Sequence, residues 1–255
     1  MSVSEIIYDV RDHVATITIN RPGKSNALNA AVRGGLFEAF AAANSDSDVR
    51  VAILTGSGER VFCAGADLAE MVTLGITTPP KDYLPILRKN VDFDKPVIAA
   101  VNGVAAAGGF LLVQMCDLVV ASNTASFAIT EARRGRGAPW AVPLTRQLPR
   151  RVMAELLLTA EPISAARAYD LGFANLVVDP VSLMESAFRM ARAIARNAPL
   201  SVKAGLRMLQ FADEMGLKAA EQVADEIFKE VYLSEDAREG PRAFQEKREP
   251  VWQGR

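Results

Sequence analysis

Apolar and polar residues repeat with two different periods along this chain, and the change of period divides it. From Val14 to Asn20 β-branched residues recur at every second position, and Ile6 to Val10 precedes them across Arg11-Asp12-His13, which predicts an antiparallel hairpin. Arg21-Pro22-Gly23 ends the second strand. Asn29 then caps a predicted helix that carries Leu36, Phe37 and Phe40 on one face. Val49 to Thr55 reads as a short buried strand, and Asp67 as the cap of a helix starting Leu68-Ala-Glu-Met71. Val97 to Val101 is a further strand; Asn102-Gly103 turns the chain and Gly108-Gly109 opens an apolar helix to Met115. Asp117 to Ala121 is another buried strand, and residues 73–81, with Thr77-Thr-Pro-Pro80, read as a loop.

After Pro162 the helical period takes over, over 163–171, 181–197, about 200–232 and 236–246, with a break at Asn197-Ala-Pro199 and a kink at Glu239-Gly240-Pro241. In the first half the succession of strand, glycine turn and helix occurs twice, at 49–71 and 97–115. That predicts an α/β fold of repeated ββα units whose two turns converge on one site. No stretch rich in Gly, Ser or charge marks an independent second domain, so the division is into a core over 1–195 and a helical C-terminal region over 196–255.

Composition narrows the chemistry. Twenty-nine Lys and Arg against thirty Asp and Glu leave no basic footprint for nucleic acid or an anionic membrane. The longest apolar run, Val97 to Val113, is broken by Asn102, Gly103, Gly108 and Gly109 and does not read as a membrane span. Cys63 and Cys116 lie in apolar stretches with no secretory signal ahead of them, which predicts buried thiols and a reduced, cytoplasmic setting. The single histidine, His13, falls in a turn signal. One histidine cannot build a multi-His metal site or a Ser-His-Asp triad.

What remains is a pair of glycine-bearing segments, Phe62-Cys-Ala-Gly-Ala-Asp-Leu68 and Asn102-Gly-Val-Ala-Ala-Ala-Gly-Gly109, followed by one carboxylate, Glu131. Small residues let a substrate carbonyl approach backbone N–H groups, and preorganised donors stabilise a developing oxyanion. A carboxylate beside them suits a general base. The same glycines also suit close packing alone, and Glu131 stands in sequence within reach of an ion pair with Arg133 or Arg134.

These two segments, with Lys95-Pro-Val-Ile-Ala-Ala-Val-Asn-Gly103, Arg21-Pro22 before Asn26-Ala-Leu28, Leu156-Leu-Leu-Thr-Ala-Glu-Pro-Ile-Ser164, Ala166-Arg-Ala-Tyr-Asp-Leu-Gly172 and Ser234-Glu-Asp-Ala-Arg-Glu-Gly240, make the chain resemble the enoyl-CoA hydratase/isomerase (crotonase) family over nearly its whole length. The resemblance implies a spiral of ββα units, a helical C-terminal trimerisation region, and homotrimers or dimers of trimers. It implies acyl-CoA thioesters as substrates, with coenzyme A carried by the substrate and no separate cofactor. Carried over residue by residue, it gives the amides of Ala66 and Gly108 as the oxyanion-hole donors and Glu131 as the acid–base residue. It sets Ala64, Gly65, Asp67 and Leu68 beside the coenzyme A moiety, with Lys24 and Ala27 on the loop that approaches it. Asp67 has a second reading, as a helix cap only. The C-terminal Arg248, Trp252 and Arg255 are implied to reach a neighbouring subunit's coenzyme A.

Two departures from the hydratases bear on the reaction. Leu111 stands where they carry a first glutamate and can neither orient a water nor take its proton; Pro139, followed by Trp140, stands where they carry a glycine. With Phe110, these residues are expected to form an apolar pocket wall. In both departures the chain resembles the single-glutamate enoyl-CoA delta-isomerases. The expected reaction is therefore the shift of a 3-enoyl-CoA double bond to the 2 position. The alternatives are an enoyl-CoA hydratase with its second acid relocated to the 67–71 helix, another reaction through the same enolate, and a non-catalytic acyl-CoA binding protein.

Overall fold

The computed structural model describes residues 4–255 and builds them around two sheets. The larger sheet runs in the order β1 (Ile6–Arg11), β2 (Val14–Ile19), β3 (Val51–Gly56), β5 (Val97–Val101), β7 (Leu118–Ser122) and β10 (Leu176–Val178). β1 is antiparallel to β2, as the hairpin reading expects, and the remaining neighbours are parallel. Every residue of β3 and β5 is buried, since a parallel sheet covered on both faces needs apolar side chains in both directions.

The smaller sheet consists of β4 (Val61–Cys63), β6 (Val104–Ala106) and β8 (Ser126–Ala128), all parallel, with β9 (Ile163–Ser164) antiparallel at its edge. The sequence reading has none of these strands. It treats 62–68 and 102–109 as glycine turns, yet a three-residue strand overlaps the start of the first and lies within the second, so the units are ββα in full. The first two units end in helices α2 (Leu68–Thr73) and α3 (Gly108–Gln114), whereas the third ends in a short 3-10 turn over Glu131–Arg134.

The rest of the molecule clothes this spiral. α1 (Ala30–Ser45) begins at Asn29, whose side chain accepts the Val32 N–H as a capping residue should. α4 (Leu144–Gln147), α5 (Arg150–Thr159) and α6 (Ala165–Asp170) follow the third unit, and α7 (Leu183–Ala195) lays Leu183, Ala187, Ala191 and Ala195 on Val14, Val51, Ile53, Ile98 and Val120. The C-terminal region contains α8 (Pro199–Glu214), α9 (Leu217–Leu233) and α10 (Asp236–Glu246). One continuous helix over 200–232 is thus corrected to two, broken at Met215-Gly216, where Met215 is extended and Gly216 supplies the N-cap of α9. Pro241 lies inside α10, which runs on through it.

Cys63 and Cys116 are free and buried, and burial pushes the Cys63 thiol up to about 12. His13 is an exposed turn residue with a left-handed backbone, its Nδ1 2.8 Å from the Asp48 carbonyl. No helix of the described residues is long and apolar enough to cross a membrane.

Candidate active site

β4, β6 and β8 lie side by side in parallel, so their C-terminal ends form one edge, with neighbours about 4.8 Å apart. Ala66 follows β4, Gly108 follows β6 and Glu131 follows β8, each within three residues of the strand end. The two predicted amides and the predicted base are therefore brought to the same edge by equivalent positions in three successive units. Ligands of parallel α/β sheets gather at such carboxyl edges.

Both amides are left free by local structure. Leu28 and Ala66 form an isolated parallel bridge in which Leu28 N–H donates to the Gly65 carbonyl (2.8 Å) and Asp67 N–H to the Leu28 carbonyl (3.4 Å). In an extended segment successive N–H groups point to opposite sides, so the Ala66 N–H faces away from that bridge. Gly108 is the first residue of α3, where N–H groups have no intrahelical partner. Neither amide donates to a backbone carbonyl among the described residues. Ala107, before it, has φ 51 and ψ −122, a strained geometry for alanine, and is held there by its N–H bond to the Ala128 carbonyl of β8 (3.0 Å). Leu28 and Leu84 flank Gly108, their Cδ1 atoms 3.1 and 3.2 Å from where a Cβ on Gly108 would stand.

Glu131 is part-buried and pairs with neither Arg133 nor Arg134; Arg133 turns to Glu161. One carboxylate oxygen, Oε1, accepts the Trp140 indole N–H at 2.6 Å, and the other, Oε2, is buried without a partner among the described residues. Burial raises the Glu131 pKa above the usual carboxylate range, opposed by the Trp140 hydrogen bond, by nearby backbone donors and by the Arg136 charge. A carboxylate with a free buried oxygen and a raised pKa suits proton transfer.

The predicted wall divides on inspection. Leu111 is buried in the first turn of α3. Phe110 is fully buried and stacks edge-on with Phe173 and Trp140, so it supports Trp140 from the core. Pro139 is exposed, in contrast to the wall position read from the sequence; it opens the 3-10 turn Pro139–Ala141 that aims Trp140. The hydrogen bond from Trp140 to Glu131 has no counterpart in the sequence reading, and only a donor-bearing ring nine residues beyond the acid hinted at it.

The segments expected beside coenzyme A are paired with each other. Ala64 N–H donates to the Ser25 carbonyl, and the Leu28/Ala66 bridge extends that pairing. Asn26, fully buried with φ 52, fixes the 24–28 turn through Arg21 N–H, Ser57 and Val61. Lys24 and Leu68 are exposed, Ala27 is half-buried, and Gly65 takes φ +92 against Ala107. The Asp67 carboxylate caps α2 at Ala69 and Glu70 and is 2.7 Å from Arg21 Nη1, which the sequence reading did not pair with it. Glu70 accepts the Ala30 N–H and Arg33, so both acids of the 67–71 helix are engaged. A cleft of about 640 Å³ near Glu239 and Arg248 holds none of the residues expected at the active site.

Two unpaired amides and one part-buried carboxylate thus share the carboxyl edge of the smaller sheet, an arrangement that suits stabilisation of an enolate beside a base. The chain belongs to the enoyl-CoA hydratase/isomerase family, whose model matches residues 9–255. It is 39% identical to the carnitinyl-CoA dehydratase of Proteus mirabilis, over 96% of this chain and 97% of that protein. Among solved structures it resembles a probable enoyl-CoA hydratase/isomerase from Mycobacterium abscessus, 40% identical with a TM-score of 0.89 over the full length of both chains. It also resembles the enoyl-CoA hydratase EchA1 from Mycobacterium marinum, 35% identical with a TM-score of 0.92 over 99% of this chain and 100% of that one.

Proposed function

We propose that this acyl-CoA enzyme shifts the double bond of a 3-enoyl-CoA to the 2 position. Glu131 removes a C2 proton, the Ala66 and Gly108 amides hold the dienolate oxygen, and the same carboxyl returns the proton at C4. A base of this kind contributes roughly 10² to 10⁴ in rate, and each hole donor roughly 10² to 10³. Coenzyme A enters and leaves as part of the substrate.

The observation that carries this reading is the single free carboxylate. Leu111 is an apolar, buried side chain at the position expected of a second acid, and Asp67 and Glu70 are committed to Arg21 and Arg33. One carboxyl suffices for two sequential proton transfers at C2 and C4. The test is to incubate the protein with 3-hexenoyl-CoA and, separately, with crotonyl-CoA, following the 2-enoyl absorbance. Formation of 2-enoyl-CoA from the first substrate supports the isomerase; rapid hydration of crotonyl-CoA with no conversion of 3-hexenoyl-CoA overturns it.

The names of the relatives favour a second reading, dehydration of a 3-hydroxyacyl-CoA or its reverse. With one carboxyl, Glu131 would take the C2 proton and then deliver it to the departing hydroxyl, which leaves as water. The crotonyl-CoA arm of the same experiment detects this.

The exposed apolar side chains of the C-terminal helices, among them Leu217, Tyr232, Leu233 and Phe244, the last 87% exposed, support assembly into a homotrimer or a dimer of trimers. Sedimentation velocity tests it. Two unpaired buried thiols suit a reducing, cytoplasmic setting.

A further inference from the structure

We propose that Trp140 is a positioning residue for Glu131: its indole N–H holds Oε1, so that Oε2 alone takes and returns the substrate proton. The inference rests on the reading of Glu131 as the base.

The Nε1 to Oε1 distance of 2.6 Å is at the short end for an N–H donor, as expected with an ionised acceptor. An indole nitrogen can only donate. Oε1 therefore stays an acceptor whether the carboxyl is charged or neutral, and the proton of the neutral form sits on Oε2, which is buried and unpartnered. The proton lost from C2 is thus kept on the oxygen that must release it, and the carboxyl cannot swing its charged edge to water.

Trp140 is itself fixed to the element that carries the oxyanion hole. Its carbonyl accepts the Gln114 side-chain amide at 2.7 Å, its ring meets Phe110 at 6.1 Å between centroids, and the Gln114 carbonyl accepts from Gln147. Phe110 and Gln114 belong to α3, whose first residue is Gly108. One short helix thus registers the base against one amide of the hole.

Few charges compete for control of Glu131. Arg136, on the loop following it, is the cation whose field reaches it. Arg133 is paired to Glu161, Arg134 is exposed on the same turn, and α3, β8 and Pro139–Ala141 carry no charged side chains. On α5, packed near the 131–134 turn, Glu155 is paired to Arg167, and Arg150 and Arg151 are exposed.

The experiment is solvent-deuterium exchange at C2 of butyryl-CoA in D2O as a function of pH, which reads proton abstraction whatever reaction follows. Trp140→Phe keeps an aromatic side chain and removes the donor. The expected result is exchange about 10- to 100-fold slower, little change in KM, and an acid limb moved to higher pH, because a donor to the charged form is lost. Wild-type rate and an unmoved limb overturn the positioning role. Glu131→Gln separates the two claims: undiminished exchange in that variant overturns the base itself. Should Trp140→Phe fold poorly, the wild-type protein decides. Its two tryptophans, Trp140 and Trp252, give two indole N–H resonances, assigned through Trp252→Phe. The Trp140 signal is expected to titrate with the acid limb and to stop titrating in Glu131→Gln; a signal indifferent to pH overturns the proposal.

Discussion

Gly65 and Gly108 meet across the site: a methyl on Gly65 would stand 3.0 Å from the Gly108 amide nitrogen and 2.8 Å from the Ala107 Cβ. Gly65 also takes φ +92, which side chains rarely adopt. The two turns are therefore one packed unit, and the spacing of the Ala66 and Gly108 amides depends on a hydrogen atom at position 65.

Gly65→Ala is expected to force the turns apart. Overpacking of this kind costs about 1–3 kcal/mol, and displacement of one hole donor lowers turnover by roughly 10²- to 10³-fold. Thermal unfolding and initial rates on 3-hexenoyl-CoA read the two effects separately. A folded variant with native rates would mean that the amides do not bind the oxyanion.

Glu131→Gln is expected to remove most turnover while stabilising the fold at neutral pH. Burial raises the folded pKa of Glu131, so the neutral form is the one the native state favours. Its contribution to stability is present below the unfolded-state pKa and is lost as pH rises through the raised folded value. Glutamine is neutral throughout. The difference in Tm between variant and wild type should grow as pH rises from about 4 towards 7, and a difference that shrinks over this range would contradict the burial argument.

Much of this was legible in the sequence, for local reasons. Asn29 and Asp67 announce helices because a capping side chain acts within three residues of itself, and Val14 to Ile19 announces a strand because its period repeats several times. β4, β6 and β8 have three residues each, too few for any period, and they are what sets Ala66, Gly108 and Glu131 on one edge. The helical period runs through Met215-Gly216 without a proline, and a single glycine, the N-cap of α9, is the one local mark of the break between α8 and α9. The bonds from Trp140 to Glu131 and from Arg21 to Asp67 join residues whose separation follows no helical or strand period.

Asp67 joins two elements through one side chain, and its variants should separate the contributions. Arg21 and the capping N–H groups hold its pKa below the usual carboxylate range, so its stabilisation is present at neutral pH and is lost as pH falls through the folded value. Asp67→Asn keeps a competent cap and loses the ion pair; Asp67→Ala loses both. Urea unfolding at pH 7 is expected to show the alanine variant about 1 kcal/mol less stable than the asparagine variant, the cost of a lost cap. Equal stability of the two would assign the whole effect to Arg21.

The C-terminal tail is strapped to α10 and to the end of α7, in part by the buried carboxylates of Asp236 and Glu239. Glu239 accepts from Arg242, from Arg248 and from the Val251 N–H, while Asp236 accepts from the Gln253 and Gly254 N–H groups. The Trp252 indole donates to the Arg196 carbonyl at the end of α7. Arg248, the Val251 N–H and Arg242 hold the Glu239 pKa far below the ordinary carboxylate range. Glu239→Ala leaves the Val251 amide without its acceptor and Arg248 with only Glu246 and the Glu249 carbonyl. Tryptic cleavage after Arg248 is then expected to accelerate and the Val251 amide to lose protection from hydrogen exchange, with the amides of β3 and β5 unchanged. Protection retained at Val251 would show that Asp236 and Trp252 hold the tail without Glu239.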